Sequence, residues 1–342
     1  MGSEKEIFWF EELGEEYNDA VGKKCANLGE MTHLGMRVPP GFAVSVDGYD
    51  RFMEETGAGD EIRRYVQDNQ EELKKVGKQV EASRFIRGVI EGKQMPDEMG
   101  KELWDYYAGL CEQVGQKDVA VATRSSGAVS MPGQMETYLN VCGKEELTRK
   151  LIQVWGSAFT TRAIAFRLEQ GMEMEKAPIG VAVLKMVNAK SAGVTLTVQP
   201  TTGDLSKIVV EGNWGLGESV VSGEVTPDTF LIEKETGEFE CTISKKTHMV
   251  GYTADGTGVM GVPKDLVEKA CLEQEELQEI VRIAKDVEGY FGVPQDMEWV
   301  FDRDMAFPEN LFWVQTRPAK FTKKQEREAE YLAELMTRVF KM

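Results

Sequence analysis

Hydrophobic and polar positions follow a helical period in the first half of the chain. Between about residues 47 and 117 the pattern is helical and rich in charge, with breaks near residues 57–59 and 94–96. Residues 145–170 form a clearer amphipathic pattern, because large apolar residues recur at helical spacing: Leu147, Leu151, Trp155, Phe159 and Phe166. The first half is therefore predicted to be mainly helical.

The pattern changes near residue 178, where β-branched runs separated by glycine turns begin and continue to about residue 260. Further elements are predicted in this order: a helix over about 264–291, two short strands over 296–301 and 311–316, and a helical tail from about 323. This order indicates an α+β protein with two or three lobes. We expect a helical and mixed lobe over 1–177, a β-rich lobe over 178–322 and a C-terminal tail over 323–342.

The stretch 124–140 reads RSSGAVSMPGQMETYLN and follows the apolar run VAVA at 119–122. Its small residues let a backbone approach another molecule closely, and Arg124 beside them favours an anion. The pattern predicts a strand that ends in an anion-binding loop, although it does not identify the anion.

The two short strands near the end of the chain predict an antiparallel hairpin. Side chains alternate between the faces of a strand, so a register that places Glu298 opposite Gln315 also places Asp296 opposite Arg317. The other face carries Met297, Trp299 and Phe301 and is predicted to face a core. One face of an otherwise apolar hairpin would then carry two carboxylates, an amide and a guanidinium.

This set of side chains suits metal-assisted phosphate binding. Mg²⁺ takes oxygen ligands and keeps one or two from the protein, for which Glu298 and Gln315 are candidates. Arg317 would grip a terminal phosphate while Asp296 orients it. A surface hairpin with an ordinary cross-strand ion pair explains the same residues, and the hairpin alone does not decide between the two.

Charge and composition restrict the classes of partner. The chain has 342 residues with 40 basic and 58 acidic side chains, which give a net charge of −18. Such an acidic surface argues against nucleic acid or an anionic membrane as the main partner. No apolar run approaches the roughly 20 residues of a membrane helix, and residues 1–13 lack the features of a signal peptide. We therefore expect a soluble cytoplasmic protein.

Cysteine, histidine and glycine patterns exclude several common sites. The five cysteines are scattered without a CxxC pair, so neither a zinc site nor a disulfide framework is supported, and free thiols are expected. The glycine-rich stretch 213–223 lacks the third glycine of a dinucleotide fingerprint and favours a tight turn, with the role of Glu218 left open. Only two histidines occur, His33 and His248.

Several motifs in a fixed order resemble the N-terminal nucleotide-binding domain of phosphoenolpyruvate synthase, pyruvate phosphate dikinase and the rifampin phosphotransferases. The resemblance extends over nearly the whole chain. It is carried by VGKKCANLGEM, VPPGFAV, RSSGAVSMPGQMETYLNV, FTTRAIAFR, the long segment from GVTLTVQP to VTPDTF, GVPQDMEW and WVQTRP. It implies an ATP-grasp fold with ATP between lobes, and ATP and Mg²⁺ as cofactors.

The resemblance also implies a role for individual residues. Lys24 matches the family's phosphate-binding lysine, and Arg124 matches the arginine that reaches the nucleotide phosphates. The candidate catalytic residues are Lys24, Arg124 and Arg317. Lys185 stands near the adenine, where relatives commonly have glutamine. The segment that resembles the phosphate-covering loop comprises Gly133, Gln134, Met135, Glu136 and Thr137.

At the hairpin, the resemblance assigns Glu298 and Gln315 to magnesium and phosphate and Arg317 to the terminal phosphate. Lys23 and Cys25 depart from the glycine and asparagine that are usual in the family around Lys24.

Neither histidine has the threonine-serine-histidine context of the family's phosphorylated histidine, because His33 lies in THLG and His248 in KTHMV. We therefore expect a separate subunit with a swivelling phosphohistidine domain, as in phenylphosphate synthase, although a fragment of a longer enzyme would have the same sequence.

The sequence predicts an ATP-dependent phosphotransferase that forms AMP and phosphate while a histidine is phosphorylated on the partner. A regulatory subunit that binds ATP without turnover is the alternative, and a conventional kinase would release ADP instead. The identity of the product, AMP or ADP, distinguishes these hypotheses. The final phosphate acceptor is not evident from the sequence.

Overall fold

The computed structural model describes residues 5–127, 136–253 and 256–321. By its contacts the chain divides into two compact units, the first comprising residues 1–187 with 252–258 and the second residues 188–251 with 259–342. Gly133, Gln134 and Met135, three of the candidate site residues, lie outside the described residues.

The first unit combines helices with a five-stranded antiparallel sheet. Its helices are α1 (Asn18–His33), α2 (Val46–Glu55), α3 (Ala58–Asp68), α4 (Val76–Glu91), α5 (Asp97–Val114), α6 (Lys144–Ser157) and α7 (Thr161–Gln170). Its strands are β1 (Ile7–Trp9), β2 (Gly41–Val44), β3 (Val121–Gly127), β4 (Thr137–Val141) and β5 (Ile179–Lys185), in the order β1-β2-β5-β3-β4. The helical breaks expected near residues 57 and 95 are confirmed.

Large side chains from helices and strands fill the core of the first unit. The ring of Trp155 on α6 is fully buried and lies 4.9 Å from Phe52 and 5.9 Å from Tyr49 between ring centroids. The apolar residues of the 145–170 pattern are buried up to Phe159, whereas Phe166 is 51% exposed. The pattern divides into two helices because Thr160 caps α7, its side chain accepting a hydrogen bond from the Ala163 N–H.

The remaining elements are mainly strands. The helices are α8 (Glu218–Val221) and α9 (Gln274–Phe291). The strands are β6 (Ala189–Leu196), β7 (Lys207–Trp214), β8 (Asp228–Glu233), β9 (Phe239–Thr242), β10 (His248–Thr253), β11 (Gly256–Gly261), β12 (Gln295–Asp302) and β13 (Leu311–Pro318). Strands β13-β12-β6-β7-β8-β9 form an antiparallel six-stranded sheet in that order, and β10 pairs with β11.

Three sequence expectations differ from the observed elements. Residues 124–127 continue strand β3 instead of opening a loop, because they pair with β5. Strand β5 belongs to the first sheet, since it lies between β2 and β3, whereas the sequence pattern predicted that residues from 178 onward belong to the β-rich lobe. Helix α9 begins at Gln274 and not near 264, because Glu273 and Glu276 form a capping box at its start.

The cysteines are free, as expected: Cys25 and Cys271 are buried, Cys142 and Cys241 are exposed, and Cys111 is intermediate. Among the residues that the structure describes, no helix is long and apolar enough to cross a membrane.

Candidate functional site

The hairpin of β12 and β13 has the register that the sequence predicts. Glu298 lies opposite Gln315 and Asp296 opposite Arg317. The side-chain amide of Gln315 donates a hydrogen bond of 2.9 Å to Oε1 of Glu298. Nε of Arg317 donates a 2.8 Å hydrogen bond to Oδ2 of Asp296, and Nη2 forms an ion pair with the same oxygen at 2.7 Å. These contacts bring together four candidate side chains on one face of the sheet.

Packing on the opposite face fixes this orientation. Met297, Trp299 and Phe301 are at most 1% exposed, so the predicted core face is confirmed. The indole of Trp299 lies against Gly193 and Gly212, where added Cβ atoms would approach its ring to 2.6 and 2.9 Å. These two glycines leave room for the indole, and the burial of Trp299 on one face directs Glu298 to the other.

Glu298 and Gln315 fit a magnesium ion by the chemistry of their donors. Their mutual hydrogen bond uses one carboxylate oxygen and the amide nitrogen. The pair also contains a second carboxylate oxygen and the amide oxygen, both of which are oxygen ligands of the kind that Mg²⁺ takes. Within the described parts of the chain, no group of three or more His, Cys, Asp or Glu side chains is arranged to hold a metal. A magnesium ion at this pair would therefore need further ligands from phosphate or water.

Asp296 holds Arg317 in a partly shielded position. The side chains are 17% and 33% exposed, respectively. Because both Arg317 nitrogens converge on one carboxylate oxygen, the plane of the guanidinium is fixed. An arginine oriented in this way can present its remaining N–H groups to an anion.

The first unit places Lys24 just after a break in helix α1. Gly22 has φ 77° and ψ 159°, a conformation that is essentially restricted to glycine, and regular helix follows it. A Cβ on Gly22 would lie 2.0 Å from the carbonyl oxygen of Ser126 on β3. The Cys25 N–H donates a 3.1 Å hydrogen bond to Oγ of Ser126. The glycine thus allows the helix start to contact β3 directly.

Lys24 and Arg124 are brought within electrostatic range of the same buried thiol. Burial raises the pKa of Cys25 to about 12, and hydrogen bonding with Ser126 and the charges of Lys24 and Arg124 oppose this rise. Arg124 lies in the middle of β3, opposite Thr137 on β4 and Ala182 on β5. Both cations are partly buried. The two basic residues predicted to bind phosphate therefore lie in the same region of the first unit.

Glu136 forms polar contacts that the sequence did not suggest. Its carboxylate accepts a 2.7 Å hydrogen bond from Nη2 of Arg87 and another from the Tyr138 hydroxyl. Its N–H donates to Oγ of Ser157 at 3.1 Å. Burial alone would raise the pKa of Glu136, but the contacts with Tyr138 and Arg87 outweigh burial and lower it. Glu136 is held as an anion by the protein itself, which favours a positioning role over direct contact with phosphate.

Thr137 and Lys185 occupy the ends of strands in the first sheet. Thr137 is exposed at the start of β4, directly opposite Arg124. Lys185 ends β5, is partly buried, and donates its backbone N–H to the carbonyl of Pro40 at 2.8 Å.

The sequence pattern around Arg87 did not indicate that this residue contacts the candidate site. It stands four residues before Glu91 on α4 and forms an ion pair with it, so its spacing is that of an ordinary helix-surface pair. Its contact with Glu136, 49 residues away, arises only from tertiary packing.

A known protein family matches nearly the whole chain. The family model described as "Pyruvate phosphate dikinase, AMP/ATP-binding domain" matches residues 18–337. A probable phosphoenolpyruvate synthase of Methanocaldococcus jannaschii is 36% identical over 334 residues, which are 95% of this chain and 28% of that protein. The phosphoenolpyruvate synthase of Aeropyrum pernix is 36% identical over 95% of this chain and 43% of its own length.

The phosphoenolpyruvate synthase of Pyrococcus furiosus is 35% identical over 96% of this chain and 45% of its own length. The chain thus spans less than half the length of these curated relatives. The family match and the relatives together show that the chain belongs to the family of AMP/ATP-binding domains found in pyruvate phosphate dikinase.

Proposed function

We propose that this chain is the ATP-binding part of a dikinase-type phosphotransferase, with an ATP-grasp fold, and that it binds Mg·ATP. The observation that carries the proposal is the β12–β13 hairpin, which aligns Glu298 with Gln315 and Asp296 with Arg317 in a chain of this family. A surface ion pair alone would not require the neighbouring amide–carboxylate pair, which is well suited to a metal.

Each candidate residue has a chemical task in this proposal. Glu298 and Gln315 would hold Mg²⁺, which when bound neutralises charge on the phosphate oxygens. Arg317, oriented by Asp296, would bind the terminal phosphate. Lys24 and Arg124 would stabilise the negative charge that develops during transfer. Catalysis would then consist mainly of positioning and charge neutralisation.

The proposed acceptor is a histidine outside residues 1–342. Its ring nitrogen would attack the β-phosphorus of ATP, the bond between that phosphorus and the oxygen bridging to the α-phosphate would break, and AMP would leave. Hydrolysis of the pyrophosphoryl-histidine would release phosphate and leave a phosphohistidine.

The two histidines of this chain are exposed, and each has a local hydrogen-bonding partner. Nε2 of His33 lies 2.9 Å from the carbonyl of Glu11, and Nδ1 of His248 lies 2.9 Å from the Thr247 hydroxyl. Because neither histidine has the threonine-serine-histidine context of the family's phosphorylated histidine, we assign the acceptor to a separate subunit or a further domain.

The test supplies ATP labelled at the β-phosphate together with a polypeptide that carries the swivelling histidine. We expect the label on that polypeptide and AMP as the nucleotide product. Arg317→Gln should lose this transfer, whereas Arg282→Gln, which removes an exposed charge on α9, should retain it. ADP as the product would identify a conventional kinase, and binding without any turnover would identify a regulatory subunit.

A further inference from the structure

The row of residues across the six-stranded sheet that contains Glu298 and Gln315 also contains a second glutamate, Glu211. Gln315 lies opposite Glu298, Glu298 opposite Val194, and Val194 opposite Glu211 on β7. Residues directly opposite each other on paired strands point to the same face. Adjacent strands are about 4.8 Å apart, so the Cα atoms of Glu211 and Glu298 are separated by roughly 10 Å. Glu211 therefore shares the face of the candidate metal pair, two strands away.

The carboxylate of Glu211 is half-buried and lacks a protein partner. Within residues 5–127, 136–253 and 256–321, no hydrogen bond or ion pair reaches it. Burial raises its pKa, and no neighbouring charge or donor contributes to the shift. Withdrawing a carboxylate from water without a donor costs free energy. The residues before it, Ile208, Val209 and Val210, are buried and apolar, so an acidic residue here has no evident role in folding.

Between Glu211 and the Glu298–Arg317 end of the face the surface is aliphatic, and on the other side Glu211 lies opposite the partly exposed Thr229 on β8. Val194 separates Glu211 from Glu298, and Leu196 lies on the same face in the next row, opposite Asp296. Both aliphatic side chains are partly exposed. Gly217, the residue before α8, lies close to the sheet at Ala192 on β6, since a Cβ on Gly217 would lie 3.4 Å from Cβ of Ala192. The face thus has a charged end at Glu298 and Arg317, an aliphatic middle and a lone carboxylate.

We propose that Glu211 accepts hydrogen bonds from the ribose hydroxyl groups of the bound nucleotide and so selects ribonucleotides over deoxyribonucleotides. This inference rests on the proposed function, which places the metal and terminal phosphate at Glu298 and Arg317. A second phosphate beside Glu211 would be repelled by the like charge. A sugar with two neighbouring hydroxyl donors is neutral, matches the two carboxylate oxygens and can lie on Val194 and Leu196.

Calorimetry with Mg·ATP, Mg·2′-deoxyATP and Mg·3′-deoxyATP tests this proposal. Wild-type protein should bind at least one deoxy analogue about tenfold or more weakly than ATP, the scale of a hydrogen bond to a charged group. Glu211→Leu should bind ATP and both analogues within about twofold of one another, because no acceptor remains. Glu240→Leu removes an exposed carboxylate from edge strand β9 and should keep the wild-type discrimination.

The outcomes separate this inference from the proposed function. If wild-type protein binds no ATP, the proposed function fails. If it binds ATP and both deoxy analogues equally, the role of Glu211 is wrong while ATP binding stands. Unchanged discrimination in the variant together with a higher magnesium requirement would identify Glu211 as a metal ligand and overturn the proposal. If Glu211→Leu does not fold, the isosteric Glu211→Gln replaces it and should show reduced discrimination.

Discussion

At the scale of single residues, Glu298 is the candidate whose charge has the clearest consequence. It lies beside a neutral amide, that of Gln315, so it supplies the only formal charge of the pair. Removing that charge would weaken attraction for a cation without altering the shape of the site.

Glu298→Gln is therefore expected to shift the magnesium dependence of ATP binding to higher metal concentration. A magnesium titration of ATP affinity measures this shift. Glu309→Gln, which alters an exposed residue in the β12–β13 turn, serves as the control. A variant curve that superimposes on the wild-type curve would exclude Glu298 as a ligand.

The cysteines provide a second prediction at this scale. Only the thiolate reacts with disulfide reagents, and burial raises the pKa of Cys25 to about 12 and also raises that of Cys271. At pH 8, the exposed Cys241 should react rapidly with Ellman's reagent, whereas Cys25 and Cys271 should react only after unfolding. Mass spectrometry of the labelled protein identifies the sites. Rapid labelling of Cys25 in the folded protein would contradict the close packing of helix α1 against β3.

At the scale of elements, the break in α1 depends on a single glycine. Gly22 and Gly35 have nearly the same φ, 77° and 75°, but only Gly22 is close to another strand. Gly22 also has ψ 159°, which is essentially restricted to glycine, so its replacement carries the cost of that conformation and of the close approach, whereas Gly35 carries only the cost of a positive φ.

Gly35→Ala should lower the free energy of unfolding by about 1–2 kcal/mol, the cost of the left-handed conformation. Gly22→Ala should lower it by about 1–3 kcal/mol more, because its backbone conformation is restricted to glycine and its methyl group would collide with the Ser126 carbonyl. Urea denaturation measures both values. Equal losses would show that the helix start can move away from β3 without cost.

A buried ion pair lies at the start of β8. The side chains of Lys246 and Asp228 are fully buried and 2.6 Å apart, and Asp228 also accepts hydrogen bonds from the N–H groups of Ser244 and Cys271. Removing one partner would leave an unpaired charge in the core.

Lys246→Met is expected to lower the free energy of unfolding by about 3–5 kcal/mol, the usual cost of breaking a buried pair. Lys269→Met breaks an exposed pair with Asp265 and should have little effect. Denaturation curves of the two variants provide the comparison. A small loss for Lys246→Met would mean that the N–H donors alone satisfy Asp228.

Elements with simple periodicity were predictable from the sequence, and those set by tertiary contacts were not. The alternation around Glu298 determined the hairpin register because Met297, Trp299 and Phe301 are apolar and buried on the opposite face. Residues 124–127 resembled a loop because serine and glycine have low strand propensity, yet pairing with β5 makes them a strand. Arg87 was missed because its partner Glu136 is remote in sequence. Glu211 was missed because only the pairing of the strands places it on the same face as Glu298.

At the scale of the whole molecule, net charge governs how the chain meets other proteins. The chain has a net charge of −18. In our proposal, it binds an anionic nucleotide only through a few local cations. A partner that docks productively is expected to present a complementary basic face.

The association rate with the histidine-bearing polypeptide should therefore fall as salt rises from roughly 0.05 to 0.5 M, because screening shortens the range of attraction. Stopped-flow mixing measures this rate, and the dissociation rate should change much less. An association rate that is constant across this range would show that net charge does not steer the encounter.

The contact of Trp299 with two glycines also constrains how this sequence can evolve. An alanine at Gly193 or Gly212 would collide with the indole, so neither glycine can change first without loss of stability. A smaller residue at Trp299 would leave a cavity if it came first. The effect of a substitution at Gly212 therefore depends on the residue at 299, whereas Gly193 is constrained independently, because a Cβ there would also lie 1.9 Å from the backbone carbonyl oxygen of Glu211. Descendants that retain the Glu298 face should keep Gly193 and should change Gly212 and Trp299 together or not at all.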